Sequence, residues 1–356
     1  MGHSEMPAMG KISPEVFRDY VYPNLGKSRA EVLVGPQSGV DIAITRVAPG
    51  TVMATTTDPV FIVPAYGWER AAWFAVHILA SDAATSGIAP SLMTVDLNLP
   101  LSITTVDFQQ LWSAFAKTCQ ALNIAVVSGH TARYEGCDYP MVGGATVMSI
   151  GPEESYVTTA MAEAGDILLC TKGAAIETTG LMAATFPDYI RQHLGEDILA
   201  RADALFSQMT VVDDALTAAA QGVRAHGVTA MHDATECGVV GGVYEIAEAS
   251  RLGVVLLDDA VTVRPETQAI CSLTGIDPLT SISEGTLLLT AKPHAVDKIV
   301  RALTAKGIDV CVIGEMRPES EGMWRESRGV RSQLAHPRID PFWAAFGALA
   351  AGNPPK

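Results

Sequence analysis

Apolar residues recur at helical spacing from Trp68 to Ser86, with Trp73, Val76, Ile78, Leu79 and Ala83 in phase and Gly87 as the stop. That spacing predicts a helix with one carboxylate, Asp82, in its last turns. Upstream, a short helix is expected around Pro14–Tyr20. The β-branched runs Asp41–Val47 and Thr51–Thr57, separated by Ala48-Pro49-Gly50, then predict a hairpin. The second run ends in TTTDP, which sets Asp58 at the strand exit because Pro59 bars helical continuation. Strands over Ser91–Leu97, Ile124–Ser128 and Met141–Ile150 and a helix over Val106–Leu122 complete a first mixed lobe.

Gly151-Pro152 and the polar run after it mark a boundary. Beyond it, strands are expected at Ile167–Thr171, Val228–Met231, Val254–Leu257, Thr286–Thr290 and Asp309–Met316. Helices are expected near Thr179–Thr185, Ile198–Leu205, Val211–Ala225, Val239–Ser250 and His294–Lys306, and a terminal helix precedes a frayed end. The class is α+β, divided as an N-terminal segment over 1–35, domains over 36–155 and 156–320, and a tail over 321–356.

The 356 residues suit two lobes, each with its own core. The net charge of −15, from 39 acids against 24 bases, argues against a nucleic-acid or anionic-membrane surface. An anionic substrate would need cations, a condition that nucleotide phosphates bridged by Mg²⁺ satisfy. Six cysteines without a CxxC pair read as reduced and cytoplasmic, and neither a signal core nor a membrane-length apolar run is present. The mean hydropathy of +0.24 is high enough to suggest an extensive subunit interface.

Asp82 stands out chemically, since an ionised carboxylate among aliphatic residues is penalised unless a cation, donor or proton compensates it. A helix C-terminus does not favour an acid, so local electrostatics gives no reason for it. Asp41, Asp58 and Asp96 sit at strand ends or in strands, where topology can gather them around a cation; the alternative for each is a capping or loop acid. VVSGHTAR is a strand running into Gly129, His130 and Thr131, with His130 either an acid/base group or a structural histidine. HDATECGVVGG places Asp233 and Glu236 before a glycine-rich helix start, where Gly238, Gly241 and Gly242 allow either anion approach or close helix packing. It matches neither GxGxxG nor GxxxxGK[ST]. Glu284, in SISEGTLLL, is either a general base or a turn acid. No GxSxG, HExxH or EF-hand pattern occurs.

In order, these segments resemble the AIR synthase superfamily of aminoimidazole ribonucleotide synthase, selenophosphate synthetase, thiamine-monophosphate kinase and the hydrogenase maturation factor HypE. GPQSGVDIAI is similar to the family's GxGDDAAV, SDAATSGIAP to SDIAAMGAxP, SGHT to GGDT, and HDATECGVVGGVYEIAEAS to the RDPTRGGLAxxLNEIAxxS of HypE-like members. The resemblance implies a two-lobe PurM-like fold whose N-terminal sheets pair in a homodimer to form a β-barrel. It also implies ATP and Mg²⁺, with Asp41, Asp58 and Asp82 holding metal and phosphate. Thr131, Asp233, Gly238, Gly241 and Gly242 match ligand-facing positions, and Glu284 and His130 are the candidates for proton transfer. A HypE-like dehydration of a small or carried carbamoyl- or phosphate-type substrate, with a maturation partner protein, is the leading implication. A small-molecule kinase and a non-catalytic nucleotide-binding scaffold are the alternatives. The chain departs from HypE-like members in its tail, which reads HPRIDPFW where theirs end in PRIC, with Asp340 in place of the cysteine and sixteen residues beyond it.

Overall fold

The structure, a computed structural model, describes residue 12 and residues 14–352. Expectations about the first eleven residues and the frayed end after Gly352 lie outside the described residues. Helix α1 (Pro14–Val16) continues into a wider helical turn over Phe17–Val21, within the segment expected to be helical.

The first lobe is built from β1 (Val32–Val34), β2 (Ala43–Ala48), β3 (Thr51–Phe61), α2 (Trp68–Ala84), β4 (Leu92–Leu99), α3 (Thr105–Ala121), β5 (Ala125–Arg133) and β6 (Met141–Pro152). Its strands lie in the order β1-β2-β3-β6-β4-β5. The β2–β3 hairpin forms as expected, with Ala48 opposite Thr51. Helix α3 is started by a capping box between Thr104 and Asp107 and carries the chain between the parallel neighbours β4 and β5.

Two expectations are corrected here. Strand β3 does not stop at Asp58: Asp58 pairs with Ala145 and Pro59 with Gly144 on β6. Pairing of β3 with β2 ends at Thr55, so the proline falls where one side of the strand carries no ladder. The glycine turn expected at Gly129–Thr131 is instead part of edge strand β5, with Gly129, His130 and Thr131 in register with Val95, Asp96 and Leu97. Gly129 is there for close approach, since a Cβ on it would lie 2.2 Å from the Val95 carbonyl oxygen.

The second lobe contains β7 (Ile167–Thr171), α4 (Ile176–Thr185), α5 (Pro187–Leu194), α6 (Glu196–Ala204), α7 (Val212–Ala219), β8 (Val228–Asp233), α8 (Gly238–Ala249) and β9 (Gly253–Leu257). It continues with α9 (Pro265–Thr274), β10 (Leu287–Ala291), α10 (Val296–Ala305), β11 (Val310–Arg317), β12 (Met323–Ser327), β13 (Val330–Gln333) and α11 (Pro341–Ala350). The sheet order is β13-β12-β9-β11-β7-β10-β8. The segment expected as a tail therefore supplies a hairpin, β12–β13, whose first strand pairs in parallel with β9.

Helix α2 is buried around most of its circumference because it lies between the lobes. Its Ala72, Val76, Leu79 and Ala83 share one core with Val60, Val95 and Val147 of the first sheet and with Val211, Ala215, Met231 and Leu289 of the second lobe. Each of the larger aliphatic side chains there is worth roughly 1.5–3 kcal/mol of burial. The same packing carries Asp82, in the last turn, to the seam between the sheets. Among the described residues no helix is long and apolar enough to cross a membrane.

Candidate active site

Five elements converge at the seam. Strand β3 brings Thr56 and Asp58, α2 brings Ser81 and Asp82, the segment before β2 brings Asp41, the end of β8 brings His232 and Asp233, and the first turn of α4 brings Glu177. Antiparallel pairing of Leu287 with Asp233 holds the loop before β10, and with it Glu284, beside the end of β8. Thr56 Oγ1 donates to Asp82 Oδ2 at 3.1 Å, and the Glu284 amide donates to Glu177 Oε2 at 3.0 Å. His232 Nε2 lies 2.7 Å from Glu245 Oε2, while its Nδ1 lies 3.0 Å from Asp41 Oδ2 and 4.0 Å from Asp233 Oδ1.

Burial is the main force on these acids. It pushes the Asp82 carboxyl well above the usual carboxylate range, and repulsion from Asp233, Asp41 and Asp58 adds to it. Burial also raises Asp233, where Asp41 adds to the effect and His232 opposes it. Glu284 is driven well above its ordinary value by burial, Asp233 and Glu177, with Ser81 and Lys172 pulling the other way. Burial lifts Glu177 to about 8 despite the stabilising Glu284 amide. His232 would be lowered by its burial, but Asp41 and Glu245 outweigh that and hold it at about 10.

Asp233 Oδ2, both carboxyl oxygens of Glu284 and His232 Nδ1 are buried without a hydrogen-bond partner. Unsatisfied buried acceptors cost about 1–3 kcal/mol each, more if charged, so this concentration is unfavourable unless something binds there. One ligand atom from each of Asp41, His232 and Asp233 lies within 4.8 Å of the others. Carboxylates repel phosphate directly, so a divalent cation is the group that these orphaned oxygens fit, and a nucleotide fits through it.

Two family models match the chain, the AIR synthase related protein N-terminal domain over residues 39–160 and its C-terminal domain over 163–324. The chain belongs to the AIR synthase related family. Carbamoyl dehydratase HypE of Escherichia coli is 29% identical over 312 residues, covering 86% of this chain and 88% of that protein. Selenide, water dikinase of Haemophilus influenzae is 26% identical over 351 residues, covering 87% and 92%. Of the solved structures, a HypE–HypF complex superposes with a TM-score of 0.69 at 20% identity over 91% of this chain and 98% of that one. A HypE structure in complex with ATP gives 0.59 at 16% identity over 92% and 95%. At these identities the structures show a shared PurM-like fold. The named relatives are enzymes, and the chain is an enzyme of this AIR synthase related family.

Not every residue singled out from the sequence joins the cluster of this family member. His130 and Thr131 lie on exposed β5, where His130 Nε2 contacts Tyr134 Oη at 3.0 Å and shares a shallow pocket with Asp96, Thr57 and Thr146. Asp96 itself is exposed and accepts from Asn98 Nδ2. The glycines of α8 are buried and have a packing reason. A Cβ on Gly238, whose φ is +57°, would lie 2.4 Å from Ser281 O, and one on Gly242 would lie 2.6 Å from Leu288 Cδ1. The Gly238 amide is spent on Thr235 O.

Asp340 is a brace. Its Oδ2 accepts from the Cys237 amide at 2.6 Å and its Oδ1 from the Phe342 amide at 2.9 Å, capping α11, which packs Phe342, Ala345 and Leu349 against the α4–α6 helices. Asp340→Ala is expected to cost roughly 2–3 kcal/mol in urea unfolding, a lost cap plus an orphaned buried amide.

Sequence reasoning missed Glu177 and His232. An acid in the first turn of a helix is ordinary, so Glu177 carried no distinguishing mark. His232 had one signal, its place beside Asp233 at a strand end, ahead of a loop of polar and small residues.

Proposed function

We propose that this chain is a HypE-like, ATP- and Mg²⁺-dependent enzyme acting on a small or separately carried carbamoyl- or phosphate-type substrate. The observation that carries the reading is the convergence of Asp41, Asp58, Asp82, Asp233 and Glu284, three of them deeply buried and two with orphaned oxygens. The relatives named carbamoyl dehydratase and selenide, water dikinase, and the HypE structure with ATP, support the same direction.

In this reading Asp41, Asp58, Asp82 and Asp233 hold the metal and, through it, the nucleotide phosphates. When bound, Mg-ATP supplies a phosphoryl group that turns a poor oxygen leaving group into a good one, with the metal screening the charge. The chain's own contribution is placement and proton handling. Burial, with Asp233 and Glu177, raises Glu284 well above the ordinary carboxylate range and so favours the protonated form that can give a proton to a departing oxygen, and Glu177 anchors its backbone through the amide contact. Thr56 fixes the Asp82 rotamer.

His130 and Thr131 are assigned to a subunit interface instead of to catalysis. The first sheet also exposes Val127 on β5 and Ile150 on β6, which suits a homodimer paired through that sheet. The HypE–HypF complex supports a maturation partner protein. Residue 340 is a buried aspartate hydrogen-bonded to the Cys237 amide and offers no thiolate, which supports an acceptor group carried by another molecule.

Phosphorus NMR of the full chain with Mg-ATP and candidate acceptors tests the reading. Acceptor-dependent ADP and inorganic phosphate are expected. A phosphorylated acceptor with ADP would establish a small-molecule kinase similar to thiamine-monophosphate kinase, and nucleotide binding with no turnover on any acceptor would overturn the enzyme assignment in favour of a scaffold.

A further inference from the structure

His232 separates this pocket from an all-oxygen magnesium site. Its imidazole is 2% exposed, and Nε2 sits 2.7 Å from Glu245 Oε2, a contact that directs Nδ1 inward toward Asp41 and Asp233. Nδ1 has no hydrogen bond of acceptable geometry, and neither does Asp233 Oδ2 beside it. Ligand atoms about 2.1 Å from one ion lie roughly 3.0–3.4 Å apart. The observed separations of 3.0 Å from Nδ1 to Asp41 and 4.0 Å from Nδ1 to Asp233 therefore need only a small inward movement. A carboxylate on the far nitrogen is also the usual support of a metal-bound histidine, fixing its tautomer and raising its basicity.

We infer that Asp41, His232 Nδ1 and Asp233 form a mixed nitrogen–oxygen site that prefers a first-row transition dication of the Mn²⁺-to-Zn²⁺ series over Mg²⁺. Imidazole nitrogen binds these ions far better than it binds Mg²⁺, which keeps oxygen ligands and water. The inference rests on the reading of this pocket as a metal site, and adds which metal its ligands select. The competing role for His232 is an imidazolium held between Asp41 and Glu245 as a fixed positive charge.

The test is a competition titration of the chelator-treated full chain with Co²⁺ and Mg²⁺, read from the visible absorption of bound Co²⁺. Co²⁺ is expected to bind at least about tenfold tighter than Mg²⁺, and His232→Gln to lose about ten- to hundred-fold in Co²⁺ affinity while Mg²⁺ binding changes little. A paramagnetically shifted imidazole resonance in the Co²⁺-loaded wild type gives the same answer without any variant. Equal affinities, or a preference that survives in His232→Gln with no shifted imidazole, would overturn the inference. If His232→Arg retains the wild-type metal preference, the fixed-charge role stands instead. Mg²⁺ binding with ATP but no transition-metal preference defeats this inference alone; binding of no dication at all, with or without ATP, defeats the proposed function as well.

Discussion

Asp82→Asn is expected to abolish nucleotide-dependent turnover and, at the same time, to make the ligand-free protein more stable. Asparagine keeps the shape and still accepts from Thr56, but removes an acid whose ionisation Asp233, Asp41 and Asp58 all oppose. Relieving burial and like-charge repulsion at one member of an acidic cluster by a neutral isostere is expected to gain roughly 0.5–2 kcal/mol. Activity should move the other way by about a thousandfold, since electrostatic positioning of charged groups is worth about 3–4 kcal/mol of barrier per key contact. Urea unfolding and steady-state phosphate release, measured on the same preparations, check both halves. A variant both less active and less stable would mean that Asp82 is held for the fold rather than for a ligand.

The second large effect is on the pH dependence of stability without metal. Glu177, Asp82, Asp233 and Glu284 all have raised folded-state values, Glu177 reaching about 8. Above the ordinary carboxylate range the unfolded chain has lost these protons while the folded chain keeps them. Stability therefore falls as pH rises through the carboxylate range and on toward 8. His232, lifted to about 10, has the same sign: its contribution is complete below its ordinary value and is lost as pH climbs toward 10. His77 opposes them at the acid end, because burial, helped by Lys172, lowers it to about 4, so that acidification protonates the unfolded chain first. Cys311, lowered to about 6 chiefly by Cys170, opposes them at the alkaline end, while the raised thiols of Cys170, Cys119 and Cys271 add to the decline there. Thermal melting in chelator should thus peak near neutrality on the acid side and drop by several degrees toward pH 9. Saturating Mg-ATP should flatten the alkaline decline, because bound cations compensate the carboxylates. A melting temperature that rises steadily from pH 6 to 9 would show that the acid cluster does not hold its protons.

Much of this arrangement was legible in the sequence, and the failures have physical causes. The helix α2 emerged from its 3.6-residue spacing, and Asp82 from being an acid where neither solvent nor the helix dipole accounts for one. Strand β5 reads shorter in the sequence than in the fold because Gly129 looks locally like a turn signal, whereas the parallel approach of β4 is what requires a glycine there. Pro59 looks locally like a strand terminator and sets Asp58 at an exit, and only the sheet order reveals a strand unladdered on one side at that point. The β12–β13 hairpin leaves no local signature because its strands, with Arg325, Glu326, Arg331 and Gln333, lack a clean apolar alternation. His232 and Glu177 depend on long-range pairing, Leu287 with Asp233 and the Glu284 amide with Glu177, which no local pattern encodes.

The placement of α2 also bears on how ligands come and go. A helix whose apolar side chains belong to both lobes at once ties them as a single rigid body, since a hinge opening between them would expose Val76, Leu79, Met231 and Leu289 to water together. Exchange at the seam is then left to short segments, the connection over 234–237 and the turn over 281–285, each only a few residues long. Such local gating belongs to a faster class of motion than domain closure. Relaxation measurements should find exchange broadening confined to those two segments, with the lobes on either side moving as one.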